Sequence, residues 1–195
     1  LKPPFVLVGI SMGGMAALDW LAHYPDEVVH AHVVNTSVGG VSYWFERLRI
    51  AALLKLAVTS LSRHMREQTV FDLTLSMRKD RETTIAQWCE IAHRRPVLHA
   101  NLLRQIWSAA QFSVRKPEHC ERLTVYVSGD DNMVSPQCSR DIARLWNVTL
   151  VEHATAGHDL PLDDGEWLVA QLTGWSCSPD LNRHVAADNE PISCG

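Results

Sequence analysis

Short apolar runs alternate along the chain with longer stretches whose apolar residues recur at helical spacing. Proline, glycine or polar residues bound the runs, which predict strands at residues 5–8, 28–35, 123–127 and 148–151. Residues 12–23 follow the first run and are rich in helix-forming alanine and leucine. Strands that alternate with helices are typical of α/β proteins with a parallel sheet. We therefore expect an α/β fold.

A serine lies at the predicted junction of the first strand and the first helix, in the segment Gly9-Ile10-Ser11-Met12-Gly13. A serine on such a tight turn is the nucleophile arrangement of acyl hydrolases, in which Gly9 and Gly13 leave room for a strained backbone. The alternative is a glycine-rich turn with an incidental serine. The rest of the chain bears on this choice, because a serine nucleophile needs partners.

An acid and a histidine follow two later strands. Asp130 and Asp131 come shortly after the run at 123–127, and His158 lies in the loop after the run at 148–151. Parallel strands bring their carboxyl ends to one edge of a sheet. A serine hydroxyl needs a base that takes its proton and an acid that orients the base. We therefore expect a triad of Ser11, His158 and one of the two aspartates.

These motifs resemble those of the α/β-hydrolase superfamily, in particular its carboxylesterase-like branch. The resemblance rests on GISMGG at 9–14, GHDLP at 157–161 and the chain order Ser, Asp, His, and it extends over residues 5–172. It implies that Ser11 is the nucleophile, His158 the general base and Asp131 the orienting acid. It also implies that the backbone N–H of Met12 is an oxyanion donor. Asp130 is the alternative acid.

The resemblance further implies a three-layer core with a mostly parallel sheet and a helical cap. The expected division is a core of residues 1–42 and 113–174, a cap of 43–112 and a flexible tail of 175–195. Helices are predicted within the cap, with breaks near residues 60–63, 79–81 and 94–96. In the superfamily, further strands precede the turn that carries the serine, which is called the nucleophile elbow. Residues 1–4 contain no counterpart of these strands. The chain is therefore expected to be the C-terminal part of a longer hydrolase.

Two consequences are expected if the strands before the elbow are missing. The elbow strand would lie at an open edge of the sheet, where it favours self-association. The second oxyanion donor, which the superfamily takes from a loop before the elbow, would be missing, and any activity would be weaker.

Large apolar side chains of the cap are candidates for substrate contact, although ordinary helix packing explains them as well. They are Tyr43, Trp44, Phe45, Leu53, Leu56, Met65, Trp88 and Trp107. The polar residues Asn101, Arg104 and Gln105 are expected either to stabilise the junction of cap and core or to lie on a surface helix.

Composition narrows the classes of partner. The 195 residues carry a formal net charge of −4, which offers no electrostatic basis for binding nucleic acid or an anionic membrane. Five cysteines show neither metal-ligand spacing nor the density of a disulfide scaffold. No apolar run is long enough to span a bilayer. We expect a cytoplasmic enzyme that uses no metal and no cofactor.

The function expected from these residues is hydrolysis of a small carboxylic ester through an acyl-enzyme intermediate. A thioesterase, a carbon-carbon hydrolase and a perhydrolase are alternatives, because the same triad serves all of them. An alternative of another class is a hydrolase-like binding module with weak or no turnover.

Overall fold

The computed structural model describes residues 2–47, 49–59 and 62–176. Four parallel strands form one sheet, in which each strand pairs with the next along the chain. They are β1 (Phe5–Ile10), β2 (Val28–Val34), β3 (Leu123–Ser128) and β4 (Thr149–His153). The predicted α/β class with a parallel sheet is confirmed. The tail expected at 175–195 lies outside the described residues except for 175 and 176.

Eight α-helices are described. One follows β1, five lie between β2 and β3, one joins β3 to β4 and one follows β4. They are α1 (Met12–His23), α2 (Trp44–Arg47), α3 (Ile50–Thr59), α4 (Arg63–Thr74), α5 (Arg81–Arg94), α6 (His99–Gln111), α7 (Pro136–Trp146) and α8 (Leu160–Ser176).

Helices pack on both faces of the sheet, which makes three layers. On one face Leu18 and Leu21 of α1 and Ile142 of α7 pack against Val33 and Val125. On the other face Leu160 and Leu168 of α8 pack against Val34 and Tyr126. Successive residues of β2 and β3 therefore enter opposite cores, which explains why both strands are buried almost throughout.

β1 forms one edge of the described sheet, where it pairs with β2 alone. Val6 and Val8 are 49% and 50% exposed, and they lie beside His30 and His32 of β2. The open edge agrees with the expectation from sequence. Self-association through this edge stays a prediction.

The five helices between β2 and β3 form a helical insertion. Of its four internal breaks, those after Thr59, Thr74 and Arg94 fall at or near the positions predicted from sequence, and the one after Arg47 was not predicted. Phe71 and Ile85 are buried between α4 and α5, where Trp88 packs against them. Trp88 is thus a packing residue of the insertion.

Arg47 joins the start of the helical insertion to its end and to the core. Its guanidinium is buried and donates hydrogen bonds to the carbonyl oxygens of Ala109, Ala110 and Phe112 at 2.8 to 3.2 Å, and to Ser37 Oγ at 3.3 Å. Burial lowers the pKa of Arg47 from its ordinary value. Arginine suits this position because its planar fork of donors reaches several acceptors at once.

The polar residues of α6 take no part in this junction. Asn101, Arg104 and Gln105 are exposed, and Arg104 donates to Asn101 Oδ1 within the same helix. Of the two readings held open for these residues, the surface helix is correct. Among the described residues, no helix is both long enough and apolar enough to cross a bilayer.

Candidate active site

Ser11 lies at the junction of β1 and α1 in a strained conformation. Its φ is 52°, a left-handed value that few residues other than glycine adopt. Its N–H donates to the carbonyl oxygen of Val34 at 2.8 Å, and its carbonyl oxygen accepts from Thr36 Oγ1 at 2.9 Å. Strain of this kind is a frequent mark of functional positions. The end of β2 and the residues just after it therefore hold the serine turn through both its N–H and its carbonyl oxygen.

The space around the turn depends on Gly9. A Cβ at Gly9 would lie 2.3 Å from the carbonyl oxygen of Gly13, so no larger residue fits. A Cβ at Gly14 would approach Thr36 within 2.9 Å. A Cβ at Gly13 would have no neighbour within 4 Å. The sequence-based expectation that Gly13 supplies room is therefore wrong, because this residue already lies in the first turn of α1 with its Cβ direction open.

Asp131 and His158 form a buried pair at the carboxyl edge of the sheet. His158 Nδ1 and Asp131 Oδ2 are 2.7 Å apart, and their side chains are 8% and 2% exposed. The second oxygen, Asp131 Oδ1, accepts the backbone N–H groups of Met133 and Val134 at 2.8 and 2.9 Å. Both carboxylate oxygens are thus engaged, which fixes the plane in which the imidazole is held.

Asp130, the alternative acid, differs from Asp131 in exposure and in contacts. It is exposed, whereas Asp131 is buried. Its contacts run through its main chain, whose N–H donates to the carbonyl oxygen of Ala156 at 3.1 Å. The histidine therefore contacts the second aspartate of the pair and not the first.

The loop that carries His158 is held by a buried asparagine. Asn35 Nδ2 donates to the carbonyl oxygen of His158 at 2.8 Å and to Ser128 Oγ at 2.9 Å. Its Oδ1 accepts from the backbone N–H of Ser128 at 2.8 Å. Asn35 thereby connects the ends of β2 and β3 with the histidine loop.

The strand order places all three predicted triad residues at one edge. Ser11 follows β1, Asp131 follows β3 and His158 follows β4, and the four strands are parallel. In the described part of the chain, Ser11 Oγ and His158 Nε2 are not joined by a hydrogen bond. Such contacts are often loose in structures without substrate. Met12, the first residue of α1, has an N–H without an intrahelical acceptor.

Two cavities border the insertion, and the first also borders Asn132, the residue that follows Asp131. One of about 280 Å³ is lined by Arg49, Lys55, Asp72 and Asn132 among others. The other, of about 430 Å³, is an apolar hollow on α6 beside Leu103 and Trp107. Tyr43, Trp44, Phe45, Met65 and Trp107 are all at least 49% exposed. Their role in substrate contact stays a prediction.

Two further histidines, His30 and His32, lie within β2. His30 Nε2 and Thr124 Oγ1 are 2.9 Å apart, and His32 Nδ1 and Tyr126 Oη are 3.1 Å apart. Both histidine rings contact the ring of Trp175. In the part of the chain that the structure describes, no group of three or more His, Cys, Asp or Glu residues could hold a metal ion.

The sequence matches the family model of the alpha/beta hydrolase family over residues 1–171. The chain belongs to this family. A comparison with the curated proteins found no match.

Solved structures with the same fold include three hydrolases. An esterase of Exiguobacterium antarcticum is 13% identical with a TM-score of 0.66, and the match covers 89% of this chain and 66% of that one. A hydrolase of Oleispira antarctica is 13% identical (TM-score 0.64, 89% and 65% covered). The 2-hydroxy-6-oxo-6-phenylhexa-2,4-dienoate hydrolase of Rhodococcus sp. strain RHA1 is 12% identical (TM-score 0.64, 86% and 62% covered). The chain thus spans less than two thirds of the length of each.

Three residues that bond to distant segments around the site were missed in the sequence. Asn35 and Arg47 bond to main-chain groups 62 to 123 positions away, and Asp163 bonds to Ser76 and Met77. A polar residue directly after a largely apolar strand was the one local signal for Asn35. The sequence carries no comparable signal for Arg47 or Asp163.

Proposed function

We propose that this chain carries the catalytic triad of a serine hydrolase that cleaves small carboxylic esters through an acyl-enzyme intermediate. The observation that supports it most is the buried pair of Asp131 and His158, at the sheet edge from which Ser11 also emerges. Membership of the alpha/beta hydrolase family and the fold shared with an esterase also support it.

His158 would act through Nε2. An ionised carboxylate only accepts hydrogen bonds, so Asp131 Oδ2 requires the proton of the neutral imidazole to reside on Nδ1. The lone pair on Nε2 is then free to take the proton of Ser11 Oγ as this oxygen attacks the ester carbonyl. His158 returns the proton to the leaving alcohol, and the acyl group stays on Ser11. Water then repeats the sequence and releases the acid.

The tetrahedral intermediate places a negative charge near the start of α1. The N–H of Met12 has no acceptor within the helix, and the helix dipole is positive at this end. A donor of this kind contributes roughly 3 to 4 kcal/mol to transition-state stabilisation. Among the described residues, we therefore assign the N–H of Met12 as an oxyanion donor.

A fluorophosphonate probe tests the nucleophile. It should label the full-length protein on Ser11, and Ser11→Ala should abolish both labelling and turnover of p-nitrophenyl acetate. Ser108→Ala, at an exposed position of α6, is the control and should label as the wild type does. Labelling of the Ser11→Ala protein, or a wild type that never labels, would refute the proposal. The second result would favour a binding module.

The scissile bond is tested with matched substrates. Esters and thioesters of the same short acyl group, assayed side by side, separate an esterase from a thioesterase through kcat/KM. The proposal predicts a preference for the oxygen ester. Preference for the thioester would retain the triad but contradict the ester assignment.

A further inference from the structure

The carboxylate of Asp163 accepts backbone N–H groups from two separate segments. Oδ2 accepts from Gly157 at 2.6 Å and from Ser76 at 2.8 Å, and Oδ1 accepts from Met77 at 3.2 Å. Gly157 immediately precedes His158, whereas Ser76 and Met77 belong to the helical insertion. One side chain therefore joins the histidine loop to the insertion.

The contact continues on the other side of His158. The N–H of Asp159 donates to the carbonyl oxygen of Thr74 at 2.9 Å. Gly157 packs so closely that a Cβ there would lie 2.6 Å from the same oxygen. Residues 74–77, which we call the clamp segment, thus contact both neighbours of His158.

The clamp segment also reaches the acid loop. Ser76 Oγ donates to the carbonyl oxygen of Asp130 at 3.2 Å, next to the Asp131 that pairs with His158. The two loops that meet in the pair of Asp131 and His158 are therefore held against the same four residues of the insertion.

We propose that Asp163 is a positioning residue, which holds His158 in register with Asp131 by binding the histidine loop and the clamp segment on one carboxylate. The catalytic part of this inference rests on the proposed function. It assigns the insertion a role in aligning the imidazole, which is held in place only while the clamp segment is docked.

The choice of a carboxylate follows from the groups that it binds. Three N–H donors converge on Asp163, and an ionised carboxylate offers acceptors on both oxygens and no donor of its own. An asparagine would direct its NH2 group at one or two of these donors. The loops would then separate, and a misplacement of about 1 Å in an active site lowers turnover about 10²-fold.

The kinetic test compares three variants of the full-length protein. Asp163→Asn should lower kcat for p-nitrophenyl acetate about 10²-fold while KM changes less than about threefold. Asp163→Glu keeps both oxygens and should recover part of the lost kcat. The control is Asp141→Asn, whose carboxylate also accepts hydrogen bonds, from Gln137 and Arg144, but lies on α7 and makes none to the histidine loop or the clamp segment. It should keep the wild-type kcat.

A second measurement needs no turnover. The N–H groups of Gly157, Ser76 and Met77 should share slow hydrogen exchange in the wild type, although Ser76 and Met77 are exposed residues. In Asp163→Asn their exchange should accelerate together, and the downfield proton resonance of His158 Nδ1–H should be lost.

The outcomes separate the two proposals. Fast exchange of these amides in the wild type, or an unchanged His158 resonance and kcat in Asp163→Asn, overturns the positioning role. If the wild type never labels at Ser11, the serine hydrolase proposal fails, while exchange and resonance still decide whether Asp163 holds the loops. If Asp163→Asn fails to fold, the positioning role is tested by the wild-type exchange rates and by the kcat of Asp163→Glu.

Discussion

Asn35 donates a hydrogen bond from Nδ2 to the carbonyl oxygen of His158, a residue 123 positions further along the chain. The same amide accepts from Ser128 N–H, so one side chain spans the ends of β2 and β3 and the loop after β4. Asn35 has a φ of 49°, which asparagine tolerates better than most residues. Shape, polarity and backbone conformation thus all favour asparagine here.

Asn35→Asp is expected to impair both stability and turnover. It keeps the shape but places an oxygen against the carbonyl oxygen of His158, which loses its donor. A buried polar group without a partner costs roughly 1 to 3 kcal/mol in free energy of unfolding, and a shifted histidine loop should lower kcat about 10²-fold. Urea denaturation and ester kinetics provide the two measurements.

The control for this variant is Asn147→Asp. Asn147 also has a positive φ, 55°, but it ends α7 at an exposed position. It should change stability little and leave kcat as it is. Equal kinetic losses in both variants would contradict the role given to Asn35.

Asp131→Asn should lower turnover by about 10⁴, because an amide can no longer hold the His158 tautomer that leaves Nε2 free. Asp130→Asn removes a charge from the adjacent, exposed residue and should leave turnover within about twofold, since single surface substitutions have small effects. A larger loss for Asp130→Asn than for Asp131→Asn in steady-state assays would reverse the assignment of the acid.

Gly9→Ala should lower the free energy of unfolding, whereas Gly13→Ala should raise it. At Gly9 the added methyl group meets backbone atoms of Gly13 at 2.3 Å, and overpacking of this kind costs roughly 1 to 3 kcal/mol or more. At Gly13 it meets nothing within 4 Å, and alanine in a helix is favoured over glycine by roughly 0.5 to 1 kcal/mol. Urea midpoints measured on both proteins check this. A destabilised Gly13→Ala protein would restore the steric role first expected for that residue.

His32 should make stability depend on pH. Burial lowers its pKa from 6.5 to about 4, and the ring is enclosed by His30, Tyr126 and Trp175. The unfolded chain therefore binds the proton more tightly. The free energy of unfolding must fall as pH decreases from 6.5 to 4, by roughly 3 kcal/mol in total.

His32→Phe removes this titration and keeps a ring at the position. The variant should show a shallower fall in urea midpoint between pH 7 and pH 4 than the wild type. Tyr126→Phe keeps His32 and removes only the hydroxyl that contacts Nδ1, so the fall should persist. Identical profiles of His32→Phe and wild type would show that another group causes the dependence.

The parts of the site that sequence predicts are those encoded within a few residues. The strand-to-helix turn at Ser11 is local, and the aspartates and His158 each follow a strand that its own apolar run reveals. The parallel order of the strands then brings these positions to one edge. Local pattern was misleading at Gly13, where the spacing of the motif suggested a crowding that the helix removes.

Residues that bind at long range were not predictable in this way. Asn35, Arg47 and Asp163 act through main-chain groups of distant segments, and backbone N–H and C=O groups are the same for every residue type. No pattern in one sequence identifies which carbonyl a buried arginine will meet. The choice between Asp130 and Asp131 likewise depends on how one loop turns.

The helical insertion begins and ends at nearly the same point. The N–H of Gly39 donates to the carbonyl oxygen of Phe112 at 3.0 Å, and the guanidinium of Arg47 donates to that same oxygen. With its two ends joined, the insertion is a closed module, and its length can change without altering the spacing of β2 and β3. Helices could be lost, gained or exchanged here while the sheet edge stays as it is. The insertion and the sheet edge that carries Ser11, Asp131 and His158 can therefore evolve separately, provided that the clamp segment is retained.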